Sequence, residues 1–165
     1  MNIVIIGCGR VGAFLAGLLD EGGHAVTVVD LERGSFEHLA QSFKGNTLLG
    51  NGTDMDILRQ AGIESAEACF ALTQGDNRNL MAAQIAKEIF GVRRVIAKVN
   101  DPIRANLYRS QGITTVSRTS ILGTLLQAML AEDREVGKVL LEKALAHERR
   151  LAGESLSAAP AKASR

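Results

Sequence analysis

Six short runs that are rich in β-branched residues alternate with helix-length segments over residues 3–116, and this alternation limits the possible folds more than any other feature of the sequence. The runs lie at residues 3–6, 26–29, 47–49, 69–72, 94–99 and 114–116. Most are apolar throughout instead of alternating with polar residues, which is typical of strands that are covered on both faces. The alternation therefore predicts an α/β fold, in which right-handed crossovers build a doubly wound parallel sheet.

Helical spacing and helix-end residues support the assignment of the intervening segments. Apolar residues recur at this spacing in three of them: Val11, Leu15 and Leu18; Phe36, Leu39 and Phe43; and Met81, Ile85 and Ile89. Asp54 and Asp76 are predicted N-caps, and Pro102 is predicted in the first turn of another helix. Glycines are predicted just beyond four helix ends, at Gly45, Gly62, Gly91 and Gly112.

A wide apolar stripe follows the last predicted strand. Its members are Ile121, Leu122, Leu125, Leu126, Met129 and Leu130. A stripe of this width predicts a helix that packs on its own sheet, contacts a second copy of the chain, or does both. A charged helix is predicted over 135–151, and the small, polar tail is predicted to be disordered. We therefore predict a domain over 1–118, C-terminal helices for dimerisation or partner contact over 119–152, and a disordered tail over 153–165.

Three glycines form a G-x-G-x-x-G pattern directly after the first strand and at the start of a helix. We interpret Gly7 as a tight-turn residue, Gly9 as the point where the backbone approaches a pyrophosphate, and Gly12 as a close helix–strand contact. The free amides at the helix N-terminus carry a partial charge of roughly +0.5, which favours phosphate. The pattern alone is weak evidence, because glycine also serves any tight strand-to-helix turn.

Asp30 closes the second predicted strand, where an acidic side chain accepts hydrogen bonds from both ribose hydroxyls of a nucleotide. Taken alone, Asp30 is as typical of an ordinary strand end or an N-cap as it is of a ribose contact. Together with the glycine pattern it predicts adenine-nucleotide binding, and its charge favours NAD or ATP/ADP over NADP because it repels a 2′-phosphate. Arg10 either reaches a terminal phosphate or lies in solvent, and Arg33 either stacks on adenine or, as we favour, faces water.

Charge and hydropathy exclude several classes of protein. A formal net charge of +1 in 165 residues leaves no basic surplus to neutralise phosphates, which argues against nucleic acid as a partner. The first apolar run is too short for a signal peptide, and no stretch of about 18 apolar residues is present to span a bilayer. Cys8 and Cys69 lack metal-site spacing, and we interpret them as reduced, buried thiols. These features predict a soluble cytoplasmic protein.

No catalytic group lies in an obvious position. A dehydrogenase needs a proton donor or acceptor near the nicotinamide, usually at the C-terminal end of a later strand. The three histidines are predicted elsewhere, with His24 before the second strand, His38 in the second helix and His147 in the last helix. No Tyr-x-x-x-Lys pair, metal-ligand spacing or nucleophile elbow is present. We expect a protein that is not an enzyme, and the alternative is an NAD-dependent oxidoreductase subunit that lacks its substrate domain.

Polar residues do collect where the predicted fourth and fifth strands end. Thr73, Asp76 and Asn79 follow the fourth strand, and Lys98 lies at the end of the fifth. The carboxyl ends of neighbouring parallel strands border the crevice in which ligands bind. Asp76 is equally typical of a plain N-cap, and Lys98 of a surface lysine, so these residues predict a crevice without an evident general base.

Five stretches of the chain closely resemble the KTN domain, also called TrkA-N or RCK. They are GCGRVG, VTVVD, GNGTD, ALTQGDNRNLMAAQIAKEIFG and RVIAKVNDPIRANLYRSQGI. The resemblance covers residues 1–130 and is greatest to the Trk-type potassium uptake regulatory subunits of bacteria. It implies a Rossmann-like, six-stranded sheet in the order 3-2-1-4-5-6, with a C-terminal crossover helix that an extra helix follows here. It also implies binding of NAD(H) or ATP/ADP.

The resemblance further implies which residues contact the nucleotide. They are Gly7, Cys8, Gly9, Arg10, Val11 and Gly12 around the phosphates, Asp30, Leu31 and Arg33 around the ribose, Asn51, Gly52, Thr53 and Asp54 near the adenine, and Thr73, Asn79 and Lys98 along the crevice. In some members of the family, basic residues at the positions of Arg10 and Lys98 contact phosphates.

The partners implied by the resemblance are a second copy of the chain, in a homodimer or a higher ring, and a membrane potassium transporter. The protein is then a cytoplasmic subunit, peripheral to the inner face of the membrane, whose nucleotide biases gating. Many members carry a second ligand-sensing domain after the crossover helix, where this sequence has a charged helix and a tail. We expect either a second RCK-type chain to supply it or a short single-domain version. A sensor of redox state or energy charge with another partner is a third possibility.

Overall fold

The computed structural model of the chain describes residues 1–130. Six strands form one parallel sheet in the order β3-β2-β1-β4-β5-β6. They are β1 Asn2–Ile6, β2 Ala25–Asp30, β3 Asn46–Leu49, β4 Ala68–Ala71, β5 Arg94–Lys98 and β6 Thr114–Val116. The six predicted strands, the parallel sheet and the strand order are confirmed, and each predicted boundary lies within one residue of the observed one.

Within residues 1–130, five α-helices connect or follow these strands. They are α1 Arg10–Glu21, α2 Met55–Gln60, α3 Asp76–Gln84, α4 Pro102–Ser110 and α5 Arg118–Leu130. A π-helical turn, Ile85–Ile89, continues α3, and short 3-10 segments lie at Arg33–His38 and Ile63–Ser65. Pro102 is the first residue of α4. An amide at this position has no intrahelical acceptor, so the helix loses no hydrogen bond when proline stands there.

Two apolar cores lie on opposite faces of the sheet. Alternate residues of β1 enter different cores, so that Ile5 packs with α1 and Ile6 packs with α2 and α3. Both side chains are almost completely buried. Since successive strand residues point to opposite faces, a strand that is covered on both sides must be apolar at every position. This packing explains the continuous apolar runs of the sequence.

The segment between β2 and β3 is not the α-helix that the spacing of Phe36, Leu39 and Phe43 predicted. Only Arg33–His38 is helical there, and it is a 3-10 segment. The three apolar side chains nevertheless pack against the core on the α1 face, so burial is achieved from irregular backbone. Gly45 therefore follows no helix. A Cβ at this position would collide with the carbonyl oxygen of Val26, which shows that close passage along β2 selects glycine.

Asp76 was predicted as an N-cap and is instead the first residue of α3, since the capping position is Gly75. One carboxylate oxygen of Asp76 accepts hydrogen bonds from the backbone amides of Asn100 at 3.0 Å and Asp101 at 2.8 Å. The side chain thus joins the start of α3 to the loop after β5. Asp54 does cap α2 as predicted, accepting from the amide of Asp56 at 2.8 Å.

The other three predicted glycine positions, Gly62, Gly91 and Gly112, lie just beyond helix ends and have positive φ angles.

Residues Met1–Ile121 form one compact unit, and residues 122–130 belong to a second. The predicted domain boundary at 118/119 stays a prediction. Of the predicted apolar stripe, Ile121, Leu122, Leu126 and Leu130 are exposed and Leu125 is half-buried. The predicted charged helix over 135–151 and the predicted tail lie outside the described residues. Among residues 1–130, no helix has both the length and the apolar character needed to cross a membrane.

Candidate nucleotide-binding site

A cavity of about 260 Å³ opens at the carboxyl edge of the sheet. It lies at the switch point, where β1 has β2 on one side and β4 on the other and the connections leave in opposite directions. Such crevices are the usual ligand sites of open α/β sheets. A second cavity, of about 310 Å³, lies at the opposite edge among Asn2, His24 and Asn46, away from the glycine-rich loop.

The three glycines of the pattern meet three different steric requirements. Gly7 has φ of +106°, and a Cβ there would lie 2.8 Å from the backbone nitrogen of Thr73. A Cβ on Gly12 would overlap the carbonyl oxygen of Gly7, which shows that α1 packs directly on the loop. Gly9 has nothing within 4 Å of its Cβ position. The loop therefore leaves Gly9 open to an approaching group and requires glycine at the other two positions for its own packing.

Asp30 holds this loop in place through its side chain. Its Oδ2 atom accepts a hydrogen bond from the backbone amide of Cys8 at 2.6 Å, and its Oδ1 atom accepts from the amide of Glu32 at 2.9 Å. The amide of Gly7 also donates to the carbonyl oxygen of Val29 at 2.8 Å. A carboxylate has about four acceptor sites, so two remain for hydroxyl donors. Sequence reasoning predicted the ribose contact of Asp30 but not this structural role.

Asn79 joins the ends of β4 and β5 from beneath the cavity. Its side chain is fully buried. The Oδ1 atom accepts from the amide and the hydroxyl of Thr73, both at 2.7 Å, and the Nδ2 atom donates to the carbonyl oxygens of Thr73 and Lys98 at 3.1 and 2.9 Å. Each donor and acceptor of the amide is thereby used. The structure brings Thr73, Asn79 and Lys98 together at the ends of β4 and β5.

The far side of the cavity is cationic. Lys98 is half-buried, and its Nζ atom lies 3.4 Å from the carbonyl oxygen of Leu72. Burial lowers the pKa of Lys98, the nearby positive charge of Arg118 lowers it further, and Asp76 acts in the opposite direction. Arg78 and Arg118 line the cavity with Lys98 and were missed by sequence reasoning. The available signal was that Arg118 lies two residues after a predicted strand, at the same sheet edge as Lys98.

The predicted site residues fall into two groups. Those that line the cavity are Gly7, Gly9, Arg10, Val11, Asp30, Leu31, Gly52, Thr73 and Lys98. Those that do not are Cys8, Gly12, Arg33, Asn51, Thr53, Asp54 and Asn79. Within the second group, Asn51 accepts from both the amide and the hydroxyl of Thr53, at 3.1 and 2.9 Å, and Arg33 is exposed at the start of the 3-10 segment.

Both cysteines are buried free thiols. Burial, with a smaller contribution from the Asp30 carboxylate, raises the pKa of Cys8 to about 11. Burial alone raises the pKa of Cys69 to about 12. Because the thiolate is the reactive form, we expect neither residue to react with a disulfide reagent such as dithionitrobenzoate in the folded protein at about pH 8. Both should react after denaturation in guanidinium, and fast release of one equivalent from the native protein would contradict this expectation.

The cavity therefore combines an open backbone position at Gly9 with a carboxylate at Asp30 on the same rim. The TrkA-N domain family model matches residues 3–119 of the chain. The chain belongs to the TrkA-N family.

Two curated relatives are similar to this TrkA-N domain over most of the described residues. The Trk system potassium uptake protein TrkA of Streptomyces coelicolor is 50% identical over 117 residues, which is 71% of the chain and 52% of that protein. The Trk system potassium uptake protein TrkA homolog of Methanothermobacter thermautotrophicus is 34% identical over 116 residues, which is 70% of the chain and 53% of that protein. The chain thus spans about half the length of the curated relatives it matches.

Solved structures share the fold of this TrkA-N domain. The TrkA-N domain of the inner membrane protein YbaL from Escherichia coli has a TM-score of 0.71 at 18% identity, covering 79% of the chain and 96% of that domain. The AMP-bound Kef CTD of Shewanella denitrificans scores 0.66 at 18% identity, covering 93% and 96%. The GsuK channel bound to NAD scores 0.63 at 24% identity, covering 74% and 22%, and GsuK bound to ADP scores 0.65 at 24%, covering 77% and 34%.

Proposed function

We propose that this chain is the nucleotide-binding regulatory part of a potassium uptake system. It binds NAD(H) or ATP/ADP in the cavity beside the glycine-rich loop and does no chemistry on the bound nucleotide. The observation that carries the proposal is the position of Asp30, whose carboxylate holds the loop through Cys8 and borders the same cavity as Gly9. The name of the Trk relatives and the NAD, ADP and AMP of the similar structures support it.

In this proposal the loop and the end of β2 share the recognition of the nucleotide. The phosphates approach the backbone at Gly9, near the positive end of the α1 dipole. The ribose hydroxyls donate to the remaining acceptor sites of Asp30. Arg10 also borders the cavity and neutralises phosphate charge. Residues at the ends of β1 and β2 therefore contact the same nucleotide.

The bound nucleotide acts by shifting the population of two arrangements of a homodimer or ring. A coupling energy of about 1–3 kcal/mol between the nucleotide site and the transporter is enough to change flux several-fold. The exposed Ile121, Leu122, Leu126 and Leu130 of α5 supply an apolar surface for contact with a second copy, with the potassium transporter, or with a second RCK-type chain. The protein then lies in the cytoplasm, at the inner face of the membrane.

The Asp30→Asn variant tests the nucleotide site. Asparagine keeps one oxygen for the Cys8 amide but removes the charge that the ribose hydroxyls would meet. Loss of charge-assisted hydrogen bonds should weaken NADH and ADP binding roughly ten- to a hundredfold, measured by calorimetric titration. The matched control is Asp20→Asn, because Asp20 also accepts a backbone amide, that of Lys44 at 2.9 Å, but lies at the opposite sheet edge. The affinity of the Asp20→Asn variant for NADH and ADP should equal that of the wild type.

Equal affinities in the two variants would contradict the proposed role of Asp30. Potassium uptake by the transporter with the Asp30→Asn subunit should also lose its dependence on nucleotide, and unchanged dependence would argue against the regulatory function. Oxidation of NADH with an added acceptor would favour the oxidoreductase alternative instead.

A further inference from the structure

The turn after β3 contains Asn51 and Gly52, which form the only Asn-Gly pair in the sequence. Asn51 is exposed, whereas Gly52 is buried and lines the cavity at the carboxyl edge of the sheet. A Cβ at residue 52 would overlap the Cγ2 atom of Ile6. Because this contact leaves no room for a side chain, packing on β1 keeps an unshielded glycine nitrogen directly after Asn51.

The Asn51 side chain is folded over the peptide bond that joins it to Gly52. Its Oδ1 atom accepts hydrogen bonds from the backbone amide of Thr53 at 3.1 Å and from the Thr53 hydroxyl at 2.9 Å. The first of these bonds closes a ring that contains both the Cγ atom of Asn51 and the nitrogen of Gly52. The backbone oxygen of Asn51 also accepts from the amide of Asp54 at 2.9 Å, which fixes the turn. An electrophilic carbon and a nitrogen that can attack it are thus held within one tight ring.

The Gly52 amide is available for this reaction. Among the hydrogen bonds described for residues 1–130, none uses this amide as a donor. Its proton can therefore pass to water without the loss of a backbone hydrogen bond, and the nitrogen that remains is a nucleophile. Closure of this nitrogen onto the Cγ atom of Asn51 gives a succinimide.

We propose that Asn51 is a site of self-catalysed deamidation, in which both donors of Thr53 stabilise the reacting side-chain oxygen. The Gly52 nitrogen, having lost its proton to water, attacks the Cγ atom of Asn51, and the electron pair of the side-chain carbonyl moves onto Oδ1. When that pair returns, the bond from Cγ to the side-chain nitrogen breaks, and this nitrogen takes up a proton and leaves as ammonia. Water then opens the succinimide at either carbonyl carbon and leaves aspartate or isoaspartate at position 51.

Thr53 accelerates the attack because negative charge develops on Oδ1 only in that step. Both donors already point at this atom in the resting protein, so no reorganisation is needed when the charge appears. Hydrogen bonds to a charged acceptor are about twice as strong as those between neutral groups. The two bonds therefore stabilise the transition state more than the ground state, which raises the rate. The isoaspartate product lengthens the backbone beside the point where Gly52 packs on Ile6.

Peptide mapping by mass spectrometry tests the proposal on the full chain during incubation at neutral pH. The wild type should deamidate at Asn51 with release of one equivalent of ammonia, and it should do so faster than a synthetic peptide over residues 46–56. Thr53→Val should deamidate about tenfold more slowly, because it lacks the hydroxyl donor. Thr53→Ser keeps that donor and should retain the wild-type rate.

The matched control is Thr47→Val, which makes the same change at an exposed position of β3 and should deamidate as the wild type does. Deamidation of the wild type more slowly than the peptide would overturn the inference, because the turn would then protect the side chain. An unchanged rate in Thr53→Val, shown to be folded by circular dichroism, would overturn it too. The comparison of the wild type with the peptide uses no variant, so it decides the matter even where Thr53→Val fails to fold.

Discussion

Replacement of Gly12 by alanine should lower the free energy of unfolding by about 3 kcal/mol or more, measured by urea denaturation. The added Cβ would overlap the carbonyl oxygen of Gly7 and would lie 3.7 Å from the Cγ2 atom of Ile5. The obstacle is backbone on the loop side and a fully buried side chain on the strand side, so no flexible group can move away. Relief requires α1 to shift away from β1, which opens the core on that face of the sheet.

Gly9→Ala is the matched control because it adds the same methyl group to the same loop. Gly9 has an ordinary φ of −71° and nothing within 4 Å of its Cβ position. We expect its stability to fall by less than about 1 kcal/mol, since alanine is only a poorer N-cap than glycine. Nucleotide binding should nevertheless weaken, because the methyl group projects where the backbone would meet a phosphate. A Gly12→Ala protein as stable as Gly9→Ala would contradict the close packing of α1 on the loop.

The sheet could be predicted from the sequence because its evidence is local and repeated. Most strands are continuous apolar runs, and the burial of these strands on both faces leaves little ambiguity with amphipathic helices. The prediction of an α-helix over residues 33–45 was wrong for a physical reason. The spacing of Phe36, Leu39 and Phe43 matches a helix, but the same three side chains reach the core from a 3-10 turn and irregular chain. In this segment the spacing identified residues that pack on the core, but not the backbone that carries them.

The candidate site also has one part that a sequence pattern predicts and another that only the tertiary structure reveals. The glycine-rich loop and Asp30 lie in one β-α-β unit, so their positions follow from a short pattern with a known geometry. Arg78 and Arg118 carry no pattern of their own, and only the pairing of β4 with β5 and of β5 with β6 brings them to Lys98. Asp76 was ambiguous because an aspartate at a helix start satisfies either its own helix or a neighbouring loop. Tertiary contacts decide such cases.

Asn79→Ala should be among the most destabilising single substitutions in the chain, with a loss of about 3 kcal/mol or more in the free energy of unfolding. The side chain is fully buried, and its amide uses four hydrogen bonds to the backbone of Thr73 and Lys98 and the hydroxyl of Thr73. Alanine removes all four and leaves the Thr73 amide and two carbonyl oxygens without these partners. A buried donor or acceptor that has lost its partner costs far more free energy than an ordinary hydrogen bond contributes to stability.

Asn77→Ala, two residues earlier on α3, is the control. Asn77 is exposed and accepts a hydrogen bond from Arg104, so its loss should change the stability by no more than about 0.5 kcal/mol in the same urea titration. Equal stabilities in the two variants would mean that water replaces the buried amide. The expected difference would mean instead that the hydrogen bonds of Asn79 to Thr73 and Lys98 hold the ends of β4 and β5 together at the edge of the cavity.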